Sequence, residues 1–393
     1  MNKLKFVFIA YIATVVALFF YSFTQVDLSL TLSRASVYQA VEKQLQYIGF
    51  FQRPQSALIL GIIISLLFVF YFLFLFFAKK EWLKTNTLKI LVFLTFIILV
   101  FSYTAFSYDL FNYIFDAKIV TFYHQNPYLH SALDFPGDPM LSFMRWTHRL
   151  YPYGPTWLLL TVPLSYIGMN YFIITYFLFK ALIGLSFLGS SILIYKISEI
   201  TFPKDKIFNT VFWSFNPFIV TEGLISSHND FPMVFLGLLS IYLYLKRKRA
   251  YSLFSYVLSI GIKYSTAVLL PVWLMIYYFD KTKKIINWEK VFIFSTLLSL
   301  VVIIAATIRT NFQPWYLIFS LSLASFIAKK YYVLVPSIIA SFFCMIIYII
   351  YVLITDYAKG YPQIVLNVEW VGLFVSIFIT LLFFIKQKLF IKH

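Results

Sequence analysis

The chain alternates long apolar runs with short polar ones, and the runs are too long for soluble helices. Leu58–Ala78, Leu88–Phe106, Phe172–Tyr195 and Val291–Ile308 each approach or exceed the ~20 residues that cross a ~30 Å hydrocarbon core. Reading the rest the same way predicts spans at about 6–23, 57–78, 88–106, 207–222, 231–245, 291–308, 315–328, 331–354 and 364–385. Two stretches interrupt this rhythm. After Pro155, Thr156–Ile167 reads as a short interfacial helix, ended by Gly168-Met169-Asn170 before one long run. Tyr251–Phe279 reads as two short apolar pieces broken at Gly261-Ile262-Lys263. Non-helical backbone at membrane depth usually lines a cavity. The pattern predicts an all-α, polytopic transmembrane helix bundle of about 11–13 spans. No internal repeat or linker divides it, so residues 1–393 read as a single integral membrane domain.

Composition strengthens that reading. Of 393 residues, 61% are hydrophobic and 12% charged, against roughly 25% charged in a soluble domain. The net charge of +17 would fit a nucleic-acid binder, but the position of the charges argues otherwise. Of the 32 Lys and Arg, 22 fall at the ends of the chain or in short segments between apolar runs: Lys3 and Lys5, Lys79–Lys89, Lys196–Lys206, Lys246–Arg249, Lys281–Lys290, Lys329–Lys330 and Lys386–Lys392. Placing these segments in the cytoplasm satisfies the positive-inside rule and puts both termini inside. Only five of the 15 acids, Glu81, Glu199, Asp205, Asp280 and Glu289, lie in or directly beside these basic segments. The start of the chain, lacking a small-residue cleavage site, reads as an uncleaved first span. The single Cys344 excludes a disulfide framework.

Polar residues in or beside spans are expensive in lipid and mark candidate sites. They gather at the expected outer ends of spans. Asp109 and Asp116 follow the third span, within a long outer segment from Ser107 to Pro155. Glu222, His228 and Asp230 surround the outer turn at Ile225–Asp230, and Lys263 sits at the later break. Arg309 lies just beyond the outer end of its span, where a lipid head group would sit. With Lys263, Arg145 and Arg149 it is a candidate for gripping phosphate, since a guanidinium holds phosphate oxygens bidentately. Lys180 is the one charge deep inside a long span and has no place in this scheme. Each residue also has a plain reading: Asp109 as a cap at the end of the third span, His228 and Asp230 as a polar turn, Arg309 as a snorkelling anchor. The Tyr151–Trp157 aromatics fit either a sugar platform, with Tyr153 the open candidate, or an interfacial belt. His124, His130 and His148 show no metal-ligand spacing, and no metal or cofactor is expected.

The segments Ser107-Tyr108-Asp109-Leu110-Phe111-Asn112-Tyr113, Asn126-Pro127-Tyr128, Tyr153-Gly154-Pro155, Asn216-Pro217 and Ser227-His228-Asn229-Asp230, with the basic turn at 246–249 and Lys263, resemble polyprenyl-phosphate-sugar-dependent glycosyltransferases of the GT-C type. They are most similar to the bacterial alpha-mannosyltransferase branch. The resemblance covers about 100–320. It implies a GT-C-like core over about 88–330, with 107–155 the outer catalytic loop on the extracytoplasmic face of the cell membrane. It implies transfer of a hexose, mannose in that branch, from a polyprenyl-phosphate carrier to a lipid- or glycan-borne hydroxyl, with inversion. Asp109 aligns with the family's catalytic base, with Asp116, seven residues on, its natural competitor, and His228 and Asp230 are implied to position the acceptor or the donor phosphate. With Tyr153, Lys263 and Arg309, the residues Asp116, His228 and Asp230 make up the expected substrate-binding set. Two alternatives accompany this expectation: a secondary transporter or lipid-linked-glycan flippase, and a glycan polymerase or ligase using a diphosphate-linked donor.

Overall fold

A computed structural model describes residues 2–356 and 358–391; Lys392, the last residue of the C-terminal basic segment, lies outside them. In chain order the α-helices are α1 (Asn2–Ser22), α2 (Ser36–Gln46), α3 (Arg53–Lys79), α4 (Thr85–Leu99), α5 (Asp109–Thr121), α6 (Pro155–Ile167), α7 (Phe172–Thr201), α8 (Lys206–Ser214), α9 (Pro217–Val220), α10 (Asp230–Leu245), α11 (Arg249–Ile260), α12 (Leu270–Lys281), α13 (Trp288–Thr310), α14 (Leu317–Ala324), α15 (Tyr331–Ile354) and α16 (Tyr361–Ile391). Short 3-10 and wide helical turns fill several gaps, and no strand occurs among the described residues. Among the described residues, six helices are long and apolar enough to cross a membrane: Leu4–Gln25, Arg53–Lys79, Phe172–Thr201, Trp288–Thr310, Tyr331–Ile354 and Tyr361–Ile385. Five shorter apolar helices accompany them. The chain is a multi-pass membrane protein.

Two compact units emerge. The first comprises 1–52, 91–193 and 221–266; the second 53–90, 194–220 and 267–393. In the first, polar pairs between buried helices replace the packing that water would otherwise drive: Tyr11 and Thr95 hydroxyls meet at 2.8 Å, and those of Thr121 on α5 and Ser165 on α6 at 2.9 Å. In the second, the Tyr71 hydroxyl donates to the Phe212 carbonyl at 3.0 Å and Asn216 Nδ2 to Ser341 Oγ at 2.9 Å. Its helix α16 leaves Phe374, Phe378 and Leu381 more than half exposed, as suits a lipid-facing surface.

Three local departures from the sequence reading matter for the site. The third span ends at Leu99 rather than about 106. The amides beyond it are claimed by other elements: Tyr103 N–H donates to Ser22 Oγ, and Thr104 N–H to the Tyr176 hydroxyl, both at 2.9 Å. Those partners satisfy the backbone outside the helix. The long segment 107–155 is therefore not all loop. It opens with helix α5, nearly all of whose residues are buried. The span expected at 207–222 is broken after Ser214. Pro217 starts a new helix, and Asn216 Oδ1 accepts the Phe218 N–H at 3.1 Å. Finally, Ile225–Asp230 is buried rather than a solvated turn.

This burial selects the reporters for a topology test. Ser131 is partly exposed and Lys248 exposed, whereas Ser227 is buried. In intact cells, Ser131→Cys is expected to react with an impermeant thiol reagent and Lys248→Cys only after permeabilisation. The reverse pattern would turn the layout over.

Candidate active site

Asp109 is the first residue of α5, not the cap at the C-terminal end of the preceding span. The correction reverses its electrostatics. A carboxylate at a helix C-terminus is disfavoured, while at an N-terminus the free amides and the dipole favour it. Its own N–H donates to Ser107 Oγ at 3.1 Å. Asp230 occupies the same position in α10. The sequence thus starts two helices, each on an acid.

Opposite Asp109, the chain runs through a wide turn, Thr221–Ser226, that is buried throughout. Ser227 then takes a left-handed backbone, with φ of 60°, a conformation that non-glycine residues adopt only when surroundings hold them. The His228 amide donates back to the Glu222 carbonyl at 3.2 Å. This folding-back sets the imidazole between two carboxylates. His228 Nδ1 lies 3.3 Å from Asp109 Oδ2, and Nε2 lies 2.9 Å from Glu222 Oε2. His228 and Glu222 are fully buried and Asp109 nearly so.

The protonation states follow from that packing. Burial alone would lower the His228 pKa, but the charge of Glu222 and the contacts with both acids overcome it and raise it to about 9. Burial would raise the Asp109 pKa, yet His228, with Arg149 and Lys263 farther off, holds it below the ordinary value. At neutral pH Asp109 is therefore a carboxylate and His228 an imidazolium, with Glu222 against the other ring nitrogen. Asp116, two turns along the same helix and half-buried, behaves differently. Burial pushes it up to about 7, and the Arg149 charge only partly offsets that, with Asp109 adding to the rise.

A cationic and aromatic wall adjoins these acids. Lys263 Nζ pairs with Asp230 Oδ2 at 2.6 Å and stands 5.7 Å from the centre of the Tyr153 ring. The Arg149 guanidinium lies 5.9 Å from the same ring, and Tyr153 packs edge-on against Tyr113 at 5.4 Å. The Tyr113 hydroxyl in turn donates to Asn229 Oδ1 at 3.3 Å, beside His228. A backbone clasp brings Tyr153 and Lys263 together. Gly154 N–H donates to the Ile262 carbonyl at 3.1 Å and Thr156 N–H to the Gly261 carbonyl at 2.9 Å. A Cβ on Gly154 would stand 2.3 Å from the Gly261 oxygen, so only glycine permits the approach.

Of the residues singled out from sequence, Asp109, Asp116, Tyr153, His228, Asp230 and Lys263 fall in the first unit and Arg309 in the second. Arg309 is exposed in the last turn of α13, where a cation also suits the helix dipole. Arg145 lies over the Tyr108 ring at 4.3 Å.

A sequence profile described as alpha-(1->6)-mannopyranosyltransferase, N-terminal domain, of the MptA_B family, matches residues 15–278. The chain belongs to this family. It is thus a membrane mannosyltransferase, and the matched region includes every residue of the buried row and of the adjoining wall. No curated protein and no solved structure matches it. For a mannosyltransferase the arrangement offers an oriented carboxylate, cations suited to a phosphate and an aromatic face suited to a sugar ring. Glu222 is the residue whose part sequence reasoning did not assign. The signal was present, as an acid within an otherwise apolar run.

Proposed function

We propose that this mannosyltransferase moves mannose from a polyprenyl-monophosphate carrier to a hydroxyl of a lipid- or glycan-borne acceptor at the extracytoplasmic face, with inversion. The observation that carries the reading is the pairing of buried Asp109 with His228, whose other nitrogen meets Glu222. An ionised carboxylate held in one orientation is what a general base for a sugar hydroxyl requires. The acceptor oxygen attacks the anomeric carbon as its proton passes to Asp109. The bond from that carbon to the carrier's phosphate oxygen breaks, and the electron pair leaves with the polyprenyl phosphate. Lys263 and Arg149 are the cations placed to meet the developing charge. A single displacement reverses the anomeric configuration. Tyr153 is the ring on which the sugar rests.

One observation favours a second assignment of the base. The elevated pKa of Asp116, about 7, matches the operating pH better than that of Asp109 does. The family's activity argues against the transporter alternative, and donor choice separates the remaining readings. Membranes containing the protein are expected to transfer mannose from a polyprenyl monophosphate and not from a diphosphate-linked donor. The opposite preference would return the polymerase or ligase reading.

For Arg309, removal of a charge-assisted phosphate contact is worth on the order of 1.5–3 kcal/mol. Arg309→Ala is accordingly expected to raise the donor concentration for half-maximal rate roughly ten- to a hundredfold, with normal membrane insertion. An unchanged donor dependence would leave Arg309 as a snorkelling anchor.

A further inference from the structure

Lys180 lies more than two turns inside α7, 1% exposed, in a helix long and apolar enough to cross a membrane. A buried Lys in such a helix persists only where oxygens meet its donors. Its Nζ donates to the Leu224 carbonyl at 2.7 Å and to Ser102 Oγ at 3.0 Å, with the Ile225 carbonyl at 3.5 Å. All three oxygens lie within hydrogen-bond reach of the Nζ donors. Two of them are carbonyls at the end of the wide turn 221–226, where the helix stops at the left-handed Ser227 and its last carbonyl groups turn to side chains: Ser102 Oγ also donates to Leu224 at 3.1 Å and Ser227 Oγ to Ile225 at 3.3 Å. The same turn is gripped from the other side. Thr104 Oγ1 lies 3.1 Å from the Ser226 carbonyl and 3.1 Å from the Ser107 carbonyl. Ser107 Oγ in turn accepts the Asp109 amide. One continuous set of hydrogen bonds therefore joins Lys180, the turn carrying Glu222, and the start of the helix carrying Asp109.

We infer that Lys180 is a positioning residue of the transfer reaction: it fixes the turn 221–226 so that Glu222 and His228 stay registered against Asp109. The inference rests on the catalytic reading given above. It assigns the deep charge of α7 a task within the site without contact to substrate. Loss of the Nζ donors leaves the Leu224 carbonyl held by Ser102 Oγ alone and the Ile225 carbonyl by Ser227 Oγ alone; the turn then opens more easily, and the imidazolium drifts from Asp109. A displacement of about 1 Å in a catalytic group costs on the order of 10²-fold in rate.

The test uses Lys180→Met and Lys180→Gln, the latter keeping one donor group should the apolar variant fail to insert. The first readout is independent of catalysis. Ser227→Cys, in a Cys344→Ala background, places a thiol at a fully buried position of the turn. Its reaction with a membrane-permeant maleimide is expected to be slow with Lys180 present and at least ~10-fold faster in either Lys180 variant, because local opening becomes easier. The second readout is kinetic. Each Lys180 variant, with Ser227 and Cys344 intact, is expected to lose ~10- to 100-fold in kcat with little change in donor KM. Its acid limb should move toward neutrality, because Asp109 loses the close His228 charge that holds its pKa down. Combining Lys180→Gln with His228→Gln should then add little to the loss from His228→Gln alone. Unchanged labelling of the thiol in a folded Lys180→Gln protein overturns the inference, as does faster labelling with an unmoved pH profile. Full activity of Asp109→Asn would remove the catalytic reading instead, and the labelling result would still decide whether Lys180 holds the turn.

Discussion

Asp109→Asn is expected to lose at least ~10² in mannosyl transfer rate while expressing and inserting normally. The amide keeps the size of the carboxylate and accepts a hydrogen bond, but it takes no proton at neutral pH. It also leaves the buried His228–Glu222 pair intact, so the loss reads out on chemistry more than on folding. Asp116→Asn is the comparison, since both acids lie on α5. The pH dependence distinguishes them. The Asp109 pKa lies below the usual carboxylate value because His228 is beside it, so an enzyme using Asp109 keeps its base ionised far into acid. An enzyme using Asp116 loses half its base near pH 7. A wild-type acid limb well below neutrality, together with a large loss in Asp109→Asn and a small one in Asp116→Asn, supports Asp109. An acid limb near pH 7 that vanishes in Asp116→Asn transfers the role to Asp116.

The helices were legible because lipid imposes a simple rule: about twenty apolar residues make a span. Thr156–Ile167 was read as a short helix and α6 is Pro155–Ile167; the break at Gly261-Ile262-Lys263 separates α11 from α12. Where the reading departed, tertiary hydrogen bonds had taken over from local pattern. Leu88–Phe106 stays mostly apolar to its end, yet the helix stops at Leu99 because Ser22 and Tyr176 claim the amides of Tyr103 and Thr104. That early stop turns Asp109 from the end of one helix into the start of another. The same holds for the turn before His228. Polar letters at 226–230 look like a solvated loop, and their burial depends on side chains distant in sequence, Lys180 and Thr104 among them. The acids and bases of the site were visible as polar residues set among apolar runs, while the pairing of His228 with both Asp109 and Glu222 required the fold.

That pairing yields the second large effect. His228→Gln removes the cation between two buried carboxylates and leaves uncompensated charge. Breaking a buried pair in this way costs about 3–5 kcal/mol. The variant is therefore expected to melt at a lower temperature in detergent, and Glu222→Gln combined with it should recover part of the loss by removing one of the stranded charges. In catalysis, burial now acts on Asp109 with only Arg149 and Lys263 opposing it. Its pKa rises and the acid limb moves up toward neutrality; the carboxylate also loses the partner that orients it, so the rate at pH 7 falls on the order of 10². The sign on the alkaline side is equally definite. The folded pKa of His228 is raised from 6.5 to about 9. Its contribution to stability is thus full below pH 6.5 and disappears as pH climbs through about 9. Wild-type protein should lose both stability and activity across that window, and His228→Gln should show no such step. A wild-type melting temperature that stays level from pH 6.5 to pH 10 would mean that the imidazole is neutral in the fold, and that Asp109 is held by some other charge.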